Sequence, residues 1–226
     1  MAKSSKRKSA HPPPTRIPIQ LIGGLGFGVM VLFLVGYWLF ASTPKDLLES
    51  DDLSDSQIHK IATWLLVHEN IDMRARAAKK LGELDQKAVP VMKDVCLTHD
   101  DPKVRSAVFD QLMTTDKDAG AEVLQTLIDD PDAPIRLMAA QAAAHLKHRT
   151  SAKVIMKALD DDDPSVLLAG IEGSQLHGLK GAVRQIKAAL NSSDNLTVRR
   201  HAARALLALT GKSYQHLVNP TKPSSG

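Results

Sequence analysis

The chain of 226 residues contains very few aromatic side chains and only one cysteine. Phenylalanine, tryptophan and tyrosine together make up 4% of the sequence, which disfavours aromatic-rich β architectures. Because Cys96 has no second cysteine to pair with, no disulfide within the chain can stabilise the fold. A content of 43% hydrophobic residues with so few aromatics favours one helical domain rich in alanine and leucine, with flanking segments.

Two N-terminal segments are defined by the charges that they lack. Residues 1–16 contain five basic residues and no acidic residue, and we expect a basic, disordered cytoplasmic tail. Residues 17–41 contain no charged residue, and a helix of this length would extend about 37 Å, enough to cross a hydrocarbon layer of about 30 Å. The pattern predicts one transmembrane helix in a bacterial inner membrane, with the N-terminus in the cytoplasm and the chain after residue 41 outside it.

Two alternatives exist for residues 17–41, namely a cleaved signal peptide and a reversed topology with a cytoplasmic domain. We favour a retained anchor, because the apolar run is long and bulky Leu39 stands where cleavage after Ala41 requires a small residue. Gly24 and Gly28 form a GxxxG motif that could join two spans in a homodimer, and a lone span is equally compatible with the motif.

The rest of the chain is built from a segment repeated every 31 or 32 residues. The segment DPKVRSAVFDQL begins at Asp101, and similar segments begin at Asn70, Asp132, Asp163 and Asn195. Each of these five residues can cap a helix, and apolar residues follow at helical spacing. A helix before each segment is marked by one apolar column: Leu66, Leu97, Ile128, Leu159 and Leu190. The pattern predicts five helical hairpins that bury their apolar faces by stacking.

The repeat resembles the short HEAT-like repeats of the kind also found in phycobilin lyases. The resemblance covers residues 54–211 and rests on the caps, the apolar columns and an arginine column: Arg74, Arg105, Arg136 and Arg199, with Leu167 in the fourth unit. It implies an all-α fold, a right-handed α-solenoid of about five hairpins, and this domain would follow the transmembrane helix predicted from residues 17–41. Residues 42–53 would form an acidic connector and residues 212–226 a C-terminal cap and disordered tail. Ankyrin and tetratricopeptide repeats have similar periods, but their marker residues are missing.

The sequence gives no indication of a catalytic, cofactor or metal site. Deoxyhypusine hydroxylase, which this fold resembles, binds iron through His-Glu pairs after the Val-Arg of several repeats, and those positions hold no such pair here. His68, His99 and Asp130 share one repeat position, but neighbouring repeats lie about 10 Å apart, so we expect turn residues rather than a metal site. The four aspartates at residues 160–163 lack the spacing of a calcium loop. We expect no enzyme activity; a lyase-like or metal-dependent HEAT-repeat enzyme is the alternative.

The distribution of charge indicates a protein or peptide partner rather than nucleic acid. Of the 29 basic residues five lie in residues 1–16, which leaves 24 against 25 acidic residues in the remainder. The net charge of +4 therefore comes from the tail, and residues 17–226 carry about −1. The repeat domain has no excess of positive charge to attract a phosphate backbone.

A partner-binding surface is predicted on the second helix of each hairpin. We define the second-helix face as the positions two, three and six residues after the residue that opens the apolar column of that helix, which is Met73, Val104, Ile135, Val166 or Val198. These are Ala75, Arg76, Lys79, Ser106, Ala107, Asp110, Leu137, Met138, Gln141, Leu168, Ala169, Glu172, Arg200, His201 and Arg204. In the HEAT-like family this face lines the concave surface.

The chemistry of the second-helix face changes along the array. The predicted binding residues are Arg76 and Lys79 at one basic end, Leu137, Met138 and Leu168 in the apolar middle, and Arg200, His201 and Arg204 at the other basic end. An exposed apolar cluster with a polar rim is typical of an interaction site. We therefore predict a scaffold that binds its partner here without catalysis. Alternatively, the three apolar residues pack against neighbouring units.

Overall fold

The computed structural model describes residues 44–218, and these residues form α-helices joined by short turns. In chain order the helices are α1 Pro44–Glu49, α2 Asp55–Lys60, α3 Ile71–Leu84, α4 Val89–Thr98, α5 Pro102–Thr115, α6 Lys117–Leu127, α7 Ala133–His145, α8 Ser151–Ala158, α9 Pro164–Leu176, α10 Val183–Ser192 and α11 Leu196–Thr210. A π-helical turn at Ile61–Leu65 extends α2, and 3₁₀ turns lie at Asp85–Lys87, Lys180–Ala182 and Gln215–Leu217. No β-strand occurs in this part of the chain, so the predicted all-α fold is confirmed there.

From α2 onward the helices pair into the five predicted hairpins. The first helices are α2 with its π turn, α4, α6, α8 and α10, and the second helices are α3, α5, α7, α9 and α11. Each second helix packs against the second helix of the next unit, and α4 packs against α6 and α6 against α8 in the first layer. This stacking confirms an α-solenoid, while its handedness stays a prediction.

The five predicted N-cap residues begin the second helices, and four of them cap with their side chains. In these four, a side-chain oxygen accepts backbone N–H groups of the first turn at 2.8 to 3.4 Å: Asn70, Asp101, Asp163 and Asn195. Asp132 stands at the same position but forms no side-chain cap. Its Oδ2 accepts a hydrogen bond from Arg105 Nη2 at 2.6 Å instead. Helix α7 thus lacks a contact worth about 1 kcal/mol, because this carboxylate binds the preceding unit.

The predicted apolar columns form the core. On the second helices the columns lie three, seven and eleven residues after the cap residue, and every one of these positions is buried except Met73, which is half-buried. The first-helix column is also buried, with Leu97 as the half-buried exception. The small residues Ala77, Ala139 and Ala202 occupy the middle of the stripe and let neighbouring helices approach closely. The repeat pattern therefore predicts both which helices form and which side of each helix is covered.

The arginine column joins each unit to its own turn and, in the centre of the array, to the next unit. Through Nη1 each arginine donates to a carbonyl of the preceding turn at 2.6 to 3.1 Å: Arg74, Arg105, Arg136 and Arg199. Arg105 Nη2 also donates to Asp130 Oδ1 of the third unit at 2.8 Å, and Arg136 Nε donates to Asp161 Oδ2 of the fourth unit at 2.8 Å. Both aspartates are buried side chains, with 7% and 8% exposed. These pairs fix the register of units two to four.

Burial and ion pairing have opposite effects on the pKa values of these side chains. Burial alone would lower the pKa of the Arg105 guanidinium, but the hydrogen bonds and charges of Asp130 and Asp132 together raise it. The hydrogen bond from Arg136 is the main cause that lowers the pKa of Asp161, against the opposing effect of burial. Both guanidinium groups therefore stay charged and both pairs stay ionic near neutral pH.

The junction between the fourth and fifth units lacks both members of the ionic pair. Leu167 replaces the arginine and packs on the hydrophobic cluster formed by the last two units, and Ser193 stands where the earlier units carry Asp130 and Asp161. Each aspartate also accepts the N–H of the residue two positions later, at 2.9 Å, and Ser193 Oγ accepts Asn195 N–H in the same way at 3.2 Å. The turn before α11 therefore keeps its own hydrogen bond, although apolar packing of Leu167 replaces the ion pair between the units.

Helices α8 and α9 approach each other closely at Gly170. A Cβ atom added there would lie 2.9 Å from both the carbonyl carbon of Ala158 and the backbone nitrogen of Leu159. At Gly173 an added Cβ would lie 2.9 Å from Ile155 Cγ1. The packing of the fourth unit therefore requires glycine at position 170, where the opposing atoms belong to the backbone.

The predicted connector at residues 42–53 includes a helix and part of the core. Its described residues contain α1, and Leu47 and Leu53 are buried in the same hydrophobic cluster as the first units. The other predicted boundaries, 54–211 for the repeats and 212–226 for the tail, stay predictions.

The predicted membrane segment needs a correction. Residues 17–41, with Gly24 and Gly28, lie outside the described residues, as do the basic tail and residues 219–226. Within residues 44–218 no helix is long and apolar enough to cross a membrane. The longest described helix, α11, has 15 residues and extends roughly 22 Å, short of a hydrocarbon layer of about 30 Å. The predicted single-pass membrane localisation is contradicted by this finding, and neither membrane anchoring nor the Gly24/Gly28 homodimer has support.

Candidate partner-binding face

Three surface cavities lie along the second-helix face. The N-terminal cavity, of about 210 Å³, is lined by Leu48, Arg76, Lys79, Lys80 and Glu83. The central groove, of about 550 Å³, is lined by Pro102, Lys103, Ser106, Ala107, Asp110, Pro134 and Ile135. The C-terminal cavity, of about 690 Å³, is lined by Thr197, Arg200, His201, Arg204, Leu207, Gln215 and Val218. Each contains at least two positions of the predicted face, so this side of the stacked helices is grooved.

The basic residues of the N-terminal cavity are already paired with carboxylates. The pairs are Arg76 with Glu49 at 4.0 Å, Lys79 with Glu83 at 3.6 Å and Lys80 with Asp51 at 3.3 Å. The Arg76 and Lys79 pairs are exposed and contribute little to stability, typically below about 1 kcal/mol, whereas the Lys80 side chain is buried, with 6% exposed. The three pairs offset part of the local positive charge, and a binding role for Arg76 and Lys79 stays a prediction.

The central groove is mainly apolar and lies between α5 and α7. Pro102 and Pro134, near the starts of these helices, form part of its wall together with Ala107 and Ile135. Asp110 lies at its polar edge, and the surrounding protein raises the pKa of this carboxyl group by removing water from it. The groove therefore combines an apolar floor with an acid at the rim, an arrangement suited to a partially apolar peptide.

The apolar middle of the face is only partly available to a partner. Leu137 and Met138 are half-buried and pack against the larger core cluster, and Leu168 is half-buried against the C-terminal one. Ala169 is 5% exposed and belongs to the core. Leu137, Met138 and Leu168 therefore pack within the fold, as the alternative interpretation of the sequence expected, and their role in binding stays a prediction.

A turn after α11 builds the C-terminal cavity. Gly211 ends the helix with φ of 72°, a left-handed conformation that glycine adopts without strain, and its N–H donates to Leu207 O at 2.8 Å. The chain then returns, and the 3₁₀ turn Gln215–Leu217 lies against α11. Arg199 Nε holds this segment by donating to Val218 O at 2.9 Å. The final arginine of the column therefore fixes the cap instead of a further unit.

The wall of the C-terminal cavity contains residues that the repeat pattern could not identify. Gln215 and Val218 follow Gly211, where the period has ended, so no column assigns them a position. Leu207 is 45% exposed, an unusual exposure for a leucine on a helix that packs in the array. The predicted residues Arg200, His201 and Arg204 are brought together here, on one side of α11.

The hydrogen-bonding groups of the C-terminal cavity are mostly donors. Arg204 Nη2 lies 3.5 Å from His201 Nδ1. Because a guanidinium has no acceptor, Arg204 is the donor in any hydrogen bond between these two side chains. The guanidinium groups, the Thr197 hydroxyl and the Gln215 amide add further donors. This set suits an oxygen-rich anion rather than a cation or an apolar ligand.

The histidines of the repeat turns have a structural role. His68 Nδ1 accepts the N–H of Asn70 at 3.1 Å, and His99 Nδ1 accepts the N–H of Asp101 at 3.1 Å. Asp130 makes the equivalent bond in the third unit. Among residues 44–218, no group of three or more histidine, cysteine, aspartate or glutamate side chains is placed so that it could hold a metal ion.

The aspartates at residues 160–163 are likewise engaged within the fold. Asp161 and Asp162 bind Arg136, Asp160 Oδ2 accepts Gln185 Nε2–H at 3.0 Å, and Asp163 caps α9.

The single thiol lies in the core. Cys96 in α4 is fully buried, and burial raises its pKa to about 12, which outweighs the lowering effect of nearby Arg105. The thiol is therefore protonated at neutral pH and shielded from reagents.

The fold and the grooved face define a helical-repeat protein of the α-solenoid class. The sequence matches the HEAT repeats family over residues 58–137 and 120–207. These matches cover more than half of the chain, and the chain therefore belongs to the HEAT-repeat family. No curated protein matches the sequence significantly. A solved structure that it resembles is the complex of CpcE and CpcF of phycocyanin lyase from Nostoc sp. PCC7120. The two sequences are 23% identical, the alignment covers 73% of this chain and 68% of that chain, and the TM-score is 0.48.

Proposed function

We propose that this chain is a non-catalytic HEAT-repeat scaffold that binds a protein or peptide partner along the second-helix face. The observation that carries the proposal is that the N-terminal cavity, the central groove and the C-terminal cavity all lie on that face. Stacked repeats commonly use an extended surface of this kind for binding, because each unit adds one strip to it. An apolar groove with polar groups at both ends suits an extended segment of another protein.

Site-specific photo-cross-linking in the full-length chain tests this proposal. Gln141 on α7 and Glu172 on α9 are exposed positions of the face, so a photoreactive residue at either place does not disturb the core. Lys153 on α8 and Arg184 on α10 are exposed positions on first helices and serve as controls. We expect discrete species in which the chain is cross-linked to its partner from the two face positions, and no such species from the two control positions. Equal cross-linking from all four positions, or from the controls alone, would refute binding at this face.

The absence of catalysis is tested on the purified full-length chain. Visible absorption would detect a bound chromophore, and elemental analysis would detect a metal. Either one in stoichiometric amount would favour the lyase-like or metal-dependent enzyme over the scaffold.

A further inference from the structure

The C-terminal cavity carries positive charge that no carboxylate of the described chain neutralises. Arg200 and Arg204 are exposed, and neither pairs with an acidic side chain among residues 44–218. The seven residues that line the cavity include no aspartate and no glutamate. The charge is therefore available to a ligand.

The opposite end of the face provides the contrast. Arg76 and Lys79 carry the same formal charge as Arg200 and Arg204, but each lies within 4.0 Å of a glutamate. The sequence makes the two ends look alike, whereas the structure leaves only the C-terminal end unpaired. An anionic group would gain most from the C-terminal cavity, because no internal ion pair must be broken for it to bind.

We infer that the C-terminal cavity binds a carboxylate-rich segment of the protein partner. This inference rests on the proposed scaffold function and specifies the chemistry of the partner. Two guanidinium groups can each hold a carboxylate through paired N–H donors, and the Thr197 hydroxyl and Gln215 amide provide further donors. Leu207 and Val218 form an apolar wall beside them, which suits the side-chain methylenes of glutamate or a neighbouring apolar residue.

An acidic peptide fits this face better than a nucleic acid does. Asp110 and Glu172 are exposed on the same face and would repel a phosphate backbone that continued beyond the cavity. No phenylalanine, tyrosine or tryptophan lines the cavity, so a base would have only the His201 ring and the guanidinium planes to stack on. A short acidic segment needs only the C-terminal cavity, and the rest of the partner can then follow the apolar groove.

Binding of synthetic peptides to the full-length chain tests the inference. Fluorescence anisotropy would compare a labelled peptide of alternating glutamate and leucine with the same peptide carrying glutamine in place of glutamate. The test variant is Arg200→Gln with Arg204→Gln, and the matched control is Arg76→Gln with Lys79→Gln, which removes the same charge from the paired end. All four side chains are exposed, so far-UV circular dichroism and melting should be unchanged in both variants.

We expect only the glutamate peptide to bind, with an affinity that falls as salt is added. The test variant should weaken binding by about tenfold or more, and the control variant by less than about twofold. Equal binding of the two peptides, equal losses in the two variants, or no binding at millimolar concentration would overturn the inference.

Competition experiments identify other anions. Displacement by millimolar inorganic phosphate would show a general anion site, and tighter binding of a single-stranded oligonucleotide would show a nucleic-acid site; either result replaces the acidic peptide as the ligand. Cross-linking at Gln141 and Glu172 does not depend on the charge of the C-terminal cavity. Failure of this inference is therefore distinguishable from failure of the scaffold proposal.

Discussion

Gly170 offers a sharp test of the packing, because sequence and structure predict opposite effects for the same substitution. Glycine inside a helix costs about 0.5 to 1 kcal/mol relative to alanine, so helix propensity alone predicts that Gly170→Ala stabilises the protein. In the structure, the added Cβ would lie 2.9 Å from two backbone atoms of α8, at Ala158 and Leu159. Backbone atoms cannot rotate away as a side chain can, so α8 and α9 would have to move apart.

The magnitude follows from these two opposing contributions. Overpacking a filled core typically costs about 1 to 3 kcal/mol. Subtracting the gain in helix propensity leaves an expected net loss of about 1 kcal/mol for Gly170→Ala at the middle of the two ranges, and of about 0 to 2.5 kcal/mol at their limits. For a chain of this size each lost kcal/mol lowers the melting temperature by about 2 to 4 °C.

Gly82→Ala is the matched control for this experiment. Gly82 lies in α3 and is exposed, and an added Cβ would meet only Gln111 Nε2, at an ordinary distance of 3.8 Å. We expect it to stabilise the protein by about 0.5 to 1 kcal/mol. Urea unfolding of the full-length variants, followed by circular dichroism at the helical band, measures both changes. A Gly170→Ala variant as stable as Gly82→Ala would show that α8 and α9 do not approach as closely as the structure places them.

Three further predictions concern buried polar groups. Arg105→Leu should destabilise the protein by about 3 to 5 kcal/mol in urea unfolding, because it leaves Asp130 charged and buried. Adding Asp130→Ser recreates the natural combination of Leu167 with Ser193 and should recover at least half of the lost stability. The pKa of Asp161 is lowered in the folded chain, so its stabilisation of the folded state is complete above the unfolded value of about 3.9 and is lost as the pH falls through the folded pKa. Acid titration should therefore destabilise the wild type more steeply than Arg136→Gln, and parallel curves of stability against pH would contradict this. Cys96 should resist a thiol reagent at pH 8 in the folded chain and react completely in urea, whereas rapid labelling of the folded protein would show that α4 opens.

The parts of the fold that were predicted correctly depend on local chemistry. A cap residue, the apolar residues that follow it and the helix that they form lie within one unit, so their pattern is visible in the sequence. Asn70, Asp101, Asp163 and Asn195 act as predicted for this reason. Asp132 departs from the pattern because its side chain binds Arg105, which lies in another unit.

The candidate site was predicted less completely because it depends on contacts between elements. The register placed Arg200, His201 and Arg204 on one face, but nothing in the repeat indicated that a turn at Gly211 would bring Gln215 opposite them. The pairing of Arg76 with Glu49 likewise connects α3 with α1, and α2 lies between them in the sequence. The sequence shows which residues are charged, whereas only the structure shows which of these charges are already paired within the fold.

The arginine column shows how the array can vary without loss of its stacking. Where the next unit offers a buried aspartate, as at Asp130 and Asp161, the arginine is present and the tie is ionic. Where the next unit offers Ser193, the arginine position holds Leu167 and the contact is apolar. A buried aspartate in the fifth unit without an arginine in the fourth would be an unpaired charge, with a desolvation cost of several kcal/mol. The arginine alone is tolerated, because Arg74 faces His99 in the next unit and, within residues 44–218, binds only carbonyls of its own turn. Each junction is therefore a separate pairwise contact, and one unit can differ while its neighbours keep their ionic pairs.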